Sequence, residues 1–217
     1  MNVLFIGNSY TFYNDMPLMV EALARSNGKD VSVRSITKGS RKLESYADPS
    51  DPTTQALDDL LARQSFDACF IQEQSHTPVT NYDGFLRGLE CVTGKLKGRA
   101  EHLILYATWG RNAGNKMLTD YGWTTEHMAG LLSEAYQKAA SHFGADVSPV
   151  GSNFLHVTQN HPEIPMYAED CTHPSYQGSC LAALTHYRTL FGEFPERTDA
   201  LNLTEEELAA FRAAVCR

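Results

Sequence analysis

The sequence predicts an α/β protein, a three-layer α/β/α sandwich of about five parallel strands. Short apolar runs of strand length alternate with helical patterns about five times along the chain. That alternation builds βαβ units, whose right-handed crossovers put helices on both faces of a parallel sheet. The 217 residues suit one sizeable core. No internal repeat, low-complexity stretch or linker divides them, so residues 1–217 read as a single domain.

The elements follow in order. Val3-Leu4-Phe5-Ile6 is an apolar first strand closed by Gly7-Asn8-Ser9. Residues 15–26 read as an amphipathic helix ended by Asn27-Gly28, a C-cap signal. Val31 to Ile36 alternates with period two and reads as strand two, with Thr37-Lys38-Gly39-Ser40 as its turn. Residues 47–53 hold two prolines and form a loop. A helix capped by Thr53 or Thr54 then runs to about Arg63. Phe66 to Ile71 is strand three and stops abruptly at Gln72-Glu73-Gln74-Ser75-His76. Residues 82–97 form a helix despite Gly84, Gly88 and Gly94. Leu103 to Ala107 is strand four, followed by Thr108-Trp109-Gly110-Arg111. Residues 112–123, rich in Gly and Asn, read as a long loop over one face. A strong helix covers 124–143, Asp146 to Val150 is a short fifth strand, and 151–160 a short helix. A loop with Asp170-Cys171-Thr172-His173-Pro174 precedes a helix over 175–191. The last helix, Glu205 to Val215, has Thr204 as N-cap and an acidic first turn.

Composition removes several functions. The net charge is −8 with no run of like charges, whereas nucleic-acid binding needs clustered Lys and Arg. No apolar stretch approaches the length of a membrane span, and the first residues lack the basic and apolar regions of a signal peptide. The five cysteines, Cys69, Cys91, Cys171, Cys180 and Cys216, form no Cys-x-x-Cys pair. Their odd number favours free thiols in a reducing, cytoplasmic setting over a bridge between Cys171 and Cys180, and no metal ligand set stands out. Neither a metal nor a cofactor is expected.

In a parallel α/β sheet, ligands bind beyond the C-terminal ends of the strands. The polar residues that close the strands therefore converge on one rim: Ser9, Gly39, Gln72 to Ser75, and Trp109 to Arg111. A strand–turn–helix with a hydroxyl in the turn can present a nucleophile beside free backbone N–H groups, although Gly-Asn-Ser is also ordinary turn chemistry. Asp170 and His173 are three apart in a turn. The carboxylate can then hold the ring Nδ1–H and leave Nε2 free to take a serine proton. The plainer alternative is a helix cap with a surface His. Of the other histidines, His76 is the best rival base, since it follows strand three, while His102, His127, His142 and His186 read as surface positions.

At this point the chain resembles a known family. Gly7-Asn8-Ser9-Tyr10-Thr11 behind an apolar strand is similar to the first block of the SGNH (GDSL-type) serine hydrolases, with Asn8 where many members have Asp. Asp170-Cys171-Thr172-His173-Pro174-Ser175, followed by Gly178, is similar to their last block. The two blocks stand in the family's order near opposite ends of the chain, and the resemblance covers residues 1–192. It implies a flavodoxin-like sheet and an esterase without a metal. Ser9 matches the nucleophile, Asp170 the orienting carboxylate and His173 the base. Gly39 matches the glycine whose N–H joins that of Ser9 in the oxyanion hole. The block after strand three departs from the family's usual Gly-x-Asn-Asp. The chain has Gln72-Glu73-Gln74-Ser75, which resembles a branch of the family. A glutamine amide offers the same NH₂ donor one methylene further out, with Gln74 the first choice and Gln72 the second.

Trp109, Arg111 and Tyr10 share the rim and are candidates to bind substrate, as a sugar ring or an anionic substituent would require; Glu73 and Tyr167 are weaker ones. Tyr121 and Trp123 read as packing residues rather than a flap. The leading expectation is a serine esterase acting on a small acyl ester, with removal of acetyl groups from a carbohydrate as the specific form to test, a small-molecule ester as its partner and no nucleic acid or membrane. The alternative is a non-catalytic carbohydrate- or ligand-binding module on the same fold. A nucleotide binder is disfavoured because the chain has no glycine-rich phosphate loop. Oligomeric state is open.

Overall fold

The computed structural model, which describes residues 1–217, has one five-stranded sheet, all parallel, in the order β2-β1-β3-β4-β5. The strands are β1 (Asn2–Gly7), β2 (Ser32–Thr37), β3 (Phe66–Ile71), β4 (Ala100–Tyr106) and β5 (Asp146–Ser148). The helices are α1 (Ser9–Phe12), α2 (Met16–Ser26), α3 (Pro52–Arg63), α4 (Thr77–Thr80), α5 (Tyr82–Leu96), α6 (Lys116–Tyr121), α7 (Thr125–Phe143), α8 (Val150–Asn160), α9 (Tyr176–Phe191) and α10 (Glu205–Val215). This is the predicted three-layer α/β/α sandwich with a flavodoxin-like sheet.

The period of two along each strand divides the core into two halves. Val3 and Phe5 of β1, Phe70 of β3, and Ile104 and Tyr106 of β4 point to one side, where they pack with α2, α8, α9 and α10. Leu4 and Ile6, Cys69 and Ile71, and Leu105 point to the other, against α3, α5 and α7. Both faces are covered, so β1 from Val3 on and the ends of β3 and β4 nearest the rim are apolar without interruption, whereas the edge strand β2 keeps polar residues such as Arg34 and Ser35. Phe5 and Phe70 stack across neighbouring strands with centroids 4.6 Å apart, a pair that contributes about 0.5–1.5 kcal/mol beyond its area.

Four expectations change. Helix α3 is capped by Asp51, not by Thr53 or Thr54. The Asp51 carboxylate accepts from Thr53 N at 2.8 Å and Thr54 N at 3.1 Å, and Pro52 supplies the first helical position, where its missing N–H costs nothing. Residues 112–123 are not all loop. Asn115 caps α6, and Gly122 closes it at φ +66°. Strand five stops at Ser148, and Val150 already belongs to α8. His186 is fully buried rather than on the surface, because it lies on the face of α9 that packs on the sheet, against Phe5, Phe70, Tyr106 and Ser148. The capping box at Thr204 and Glu207 of α10 is present in full.

Candidate active site

Strand register brings the sequence-predicted residues to one level. Gly7 pairs with Thr37, so Ser9 and Gly39 each lie two residues beyond a paired position. Ile6 pairs with Ile71, so Ser9 and Gln74 each lie three residues beyond one. Ser9 follows β1, which lies between β2 and β3, so the segment carrying Gly39 leaves the sheet on one side of it and the segment carrying Gln74 on the other.

The turn at Ser9 is tightly specified. A Cβ on Gly7 would come within 2.4 Å of Thr11 Oγ1 and 2.5 Å of Gln72 Oε1, so only glycine lets the chain turn here. Asn8 caps α1 through Oδ1, which accepts from Tyr10 N, while its Nδ2 donates to Arg41 O at 3.0 Å. The Asn that replaces the commoner Asp thus keeps the cap and gains a donor to the segment after β2. Ser9 is the first residue of α1, a helix the sequence had placed only from residue 15 onward. Its N–H and that of Gly39 carry no intramolecular hydrogen bond. A Cβ on Gly39 would meet nothing within 4 Å, so the glycine there serves approach from outside rather than packing.

His173 reaches across from the other end of the chain. Its Nε2 lies 2.8 Å from Ser9 Oγ, and its Nδ1 lies 2.5 Å from Asp170 Oδ2. The second oxygen of Asp170 accepts from Thr172 N and His173 N, both at 2.9 Å. Partial burial alone would raise the Asp170 carboxyl, but the hydrogen bonds from the His173 ring, His173 N and Thr172 N outweigh it and hold the group below its ordinary range. Tyr13 stacks flat on the imidazole, with centroids 4.3 Å apart at 6°. The loop itself is clamped. Ala168 N donates to His173 O, Ser175 N to Met166 O, and Asn112 N to Cys171 O. Cys171 sits at φ +56°, a conformation that costs a non-glycine residue about 1–3 kcal/mol and persists because its surroundings fix it. The rival base, His76, makes its ring contact with Thr80 Oγ1 and none with Ser9.

The three residues after β3 divide the work among themselves. Gln72 is 1 % exposed, and its Oε1 accepts from Asn8 N at 2.8 Å and Thr11 Oγ1 at 2.9 Å, while its amide donates to Glu73 O. With both ends of the side chain engaged under the Ser9 turn, Gln72 is not available as an oxyanion donor, and that second choice is corrected. Gln74 is half-buried; its Oε1 accepts from His76 N, Thr77 N and Thr77 Oγ1, which leaves Nε2 without a partner. Glu73 is fully buried between them.

Trp109 and Tyr10 are core residues, contrary to the substrate-binding expectation. Trp109 is fully buried in a stack between Tyr10 and Phe154, each 4.5 Å away, and its indole N–H donates to Thr172 O. Tyr10 is 3 % exposed, and burial pushes its phenol up to about 12, so it stays neutral. Arg111 is tied down as well: Nη1 donates to Thr172 Oγ1 and Nη2 to Ser75 Oγ at 2.8 Å. Trp109 and Tyr10 brace the Asp170–His173 loop from the core, and the half-buried Arg111 ties Thr172 of that loop to Ser75 beyond β3. In sequence, an aromatic after a strand looks the same in a core as at a sugar site. Tyr167 plays a similar bracing part through a hydrogen bond from its hydroxyl to Gly110 O.

No group of three or more His, Cys, Asp or Glu side chains is placed to hold a metal ion, the five cysteines are unpaired, and no helix is long and apolar enough to cross a membrane. Tyr13, stacked on His173, and Glu73, buried beside Gln74, are neighbours of the site that the sequence motifs do not single out. The signal for Glu73 was an acidic residue directly after the apolar end of a strand.

No family model and no curated protein matches the chain, but solved structures do. A protein from Slackia heliotrinireducens, assigned as an SGNH hydrolase, is 30% identical, with a TM-score of 0.77 over 88% of this chain and 98% of that one. A DUF4886 family protein from Bacteroides uniformis is 19% identical, with a TM-score of 0.83 over 99% of this chain and 93% of that one. Axe2, an acetylxylan esterase from Geobacillus stearothermophilus, is 15% identical, with a TM-score of 0.66 over 90% and 97%.

Proposed function

The chain belongs to the SGNH hydrolases, a family of ester-bond hydrolases, and we propose that it is a serine esterase in which Ser9 is the nucleophile, His173 the base and Asp170 its orienting partner. The observation that carries this reading is the continuous relay from Asp170 Oδ2 through the His173 ring to Ser9 Oγ, at 2.5 and 2.8 Å. His173 Nε2 takes the Ser9 proton as Oγ attacks the ester carbonyl. Asp170 holds the tautomer with Nδ1–H towards itself and favours the imidazolium that forms. The stacked face of Tyr13 favours the same cation, by about 0.5–1 kcal/mol. The negative charge that develops on the carbonyl oxygen is met by the N–H groups of Ser9 and Gly39 and by Gln74 Nε2, which have no partner of their own. His173 then returns its proton to the leaving alcohol, and water releases the acyl group by the reverse sequence.

The proposed substrate is a small acyl ester, with an acetylated carbohydrate as the first class to try. The acetylxylan esterase among the structural neighbours supports the choice. A binding module without chemistry has no use for a Ser–His–Asp relay of this geometry beside three unpartnered donors. The test is hydrolysis of p-nitrophenyl acetate and of acetylated xylo-oligosaccharides by the purified chain, with Ser9→Ala as control. Activity that disappears with Ser9 is expected; full activity in Ser9→Ala would contradict the reading.

A further inference from the structure

Glu73 is the one buried carboxylate at the rim that this chemistry does not use. It is fully buried, and no cation pairs with it. Its carboxylate instead accepts from Leu43 N, at 3.1 and 3.3 Å from its two oxygens, and from Gln74 N at 2.5 Å. A buried charge without a counter-ion is tolerated only when hydrogen bonds replace its water. The identity of these donors is informative. Leu43 ends the segment that carries Gly39, and that segment is anchored at its other end by Lys38 N to Gly7 O and in its middle by Asn8 Nδ2 to Arg41 O. Gln74 carries the side-chain amide.

We propose that Glu73 is a positioning residue that, as a carboxylate, ties the Gly39 segment to Gln74, sets the spacing of the oxyanion donors, and thereby couples turnover to its own ionisation. The inference rests on the esterase reading above. A neutral carboxyl carries an O–H donor, and both of its neighbours are N–H donors. Protonation at Oε2 replaces the Leu43 N contact there with an O–H that faces an N–H donor, and it removes the charge that strengthens the bonds of Leu43 N and Gln74 N to Oε1, so the tie between the two segments loosens. Burial raises the Glu73 carboxyl to about 7 against the opposing pull of the Gln74 and Leu43 N–H groups, so the change falls in the neutral range. The ionisable groups facing it are Glu44 and Lys42 from the segment after β2, and Tyr136 of α7, whose hydroxyl accepts from Glu73 N. The sign follows: the ordered hole is present above this range and is lost as pH falls through it.

The experiment measures kcat and KM for p-nitrophenyl acetate across pH for the wild type, Glu73→Gln, Gln74→Ala and the double variant, with thermal unfolding of each. In the wild type the ionisation of Glu73 adds to the acid-side loss, so log kcat/KM should fall more steeply below about pH 7 than in Glu73→Gln, whose acid limb lacks that contribution. Its kcat at pH 8 should fall about tenfold to a hundredfold with KM little changed. Its loss should combine with that of Gln74→Ala to less than the product of the two. A folded Glu73→Gln with wild-type kcat and pH profile, or fully multiplicative losses, overturns the proposal. Should Glu73→Gln fail to fold, Glu73→Asp keeps the charge and shortens the reach. Lowered kcat with the steep acid limb retained then supports the proposal, and unchanged kcat overturns it. If the wild type is inactive, or Ser9→Ala keeps its rate, the esterase reading is what has failed.

Discussion

The molecule contains two serine–histidine pairs of equal length and opposite character. At the rim, Ser9 Oγ lies 2.8 Å from His173 Nε2. In the core, Ser148 Oγ lies 2.8 Å from His186 Nδ1. His173 has a carboxylate behind it and a stacked tyrosine on its face. His186 has Phe5, Phe70 and Tyr106 around it, its Nε2 has no partner, and burial pushes it down to about 3. A neutral imidazole locked in hydrocarbon cannot accept a proton at working pH, so contact with a serine gives it no chemistry. What distinguishes the two pairs is their surroundings: a charge that stabilises imidazolium, unpaired donors where an oxyanion would form, and access for substrate.

The widest separation between the pairs is expected in turnover. His173→Ala should lower kcat by about ten-thousand-fold or more, whereas His186→Asn, which keeps a polar atom near Ser148, should leave kcat within about threefold. Ester hydrolysis at pH 8 checks both, and a large loss in His186→Asn would break the contrast. A smaller effect separates the glutamines. Gln74→Ala should cost about a hundredfold to a thousandfold in kcat with the fold intact, while Gln72→Ala should register first in stability, since it strips Asn8 N and Thr11 Oγ1 of a buried acceptor. Urea midpoints beside rates would sort the two.

The smallest effect is in the pH dependence of stability. The folded His186 pKa lies far below the unfolded value near 6.5, so the unfolded state binds a proton that the folded state refuses. Its contribution is complete above that value and is lost as pH falls, at about 1.4 kcal/mol per pH unit. His186→Asn should flatten urea stability between about pH 6 and pH 4 by roughly one proton. An unchanged slope would mean that His186 titrates normally in the fold.

Much of this architecture was legible from residues alone, for reasons that differ by region. The inner strands could be read because a sheet covered on both faces demands apolar runs, the edge strand β2 by its alternation, and α7 because nineteen residues leave room for a clear helical period. Ser9, Asp170 and His173 could be picked out because each belongs to a local pattern with its own geometry, and the structure brings them together. The misreadings share a cause, which is that exposure depends on what the rest of the chain lays on top. Trp109 follows a strand and looks like a rim aromatic, yet Phe154 and Tyr10 enclose it. His186 sits on the face of α9 that packs on the sheet, and the unbroken Cys180-Leu181-Ala182-Ala183-Leu184 run beside it was the available hint. Gln72 and Gln74 carry the same amide, and only the direction each leaves β3 decides which one meets solvent.

The account's central claim is that Ser9 carries the acyl group. Its most direct test is mass spectrometry of the chain quenched during turnover of p-nitrophenyl acetate, with peptide mapping of the adduct. One acetyl group per chain, located on Ser9 and absent in His173→Ala, is the predicted result. Turnover with no acetyl at Ser9, or with the adduct on another residue, would contradict it.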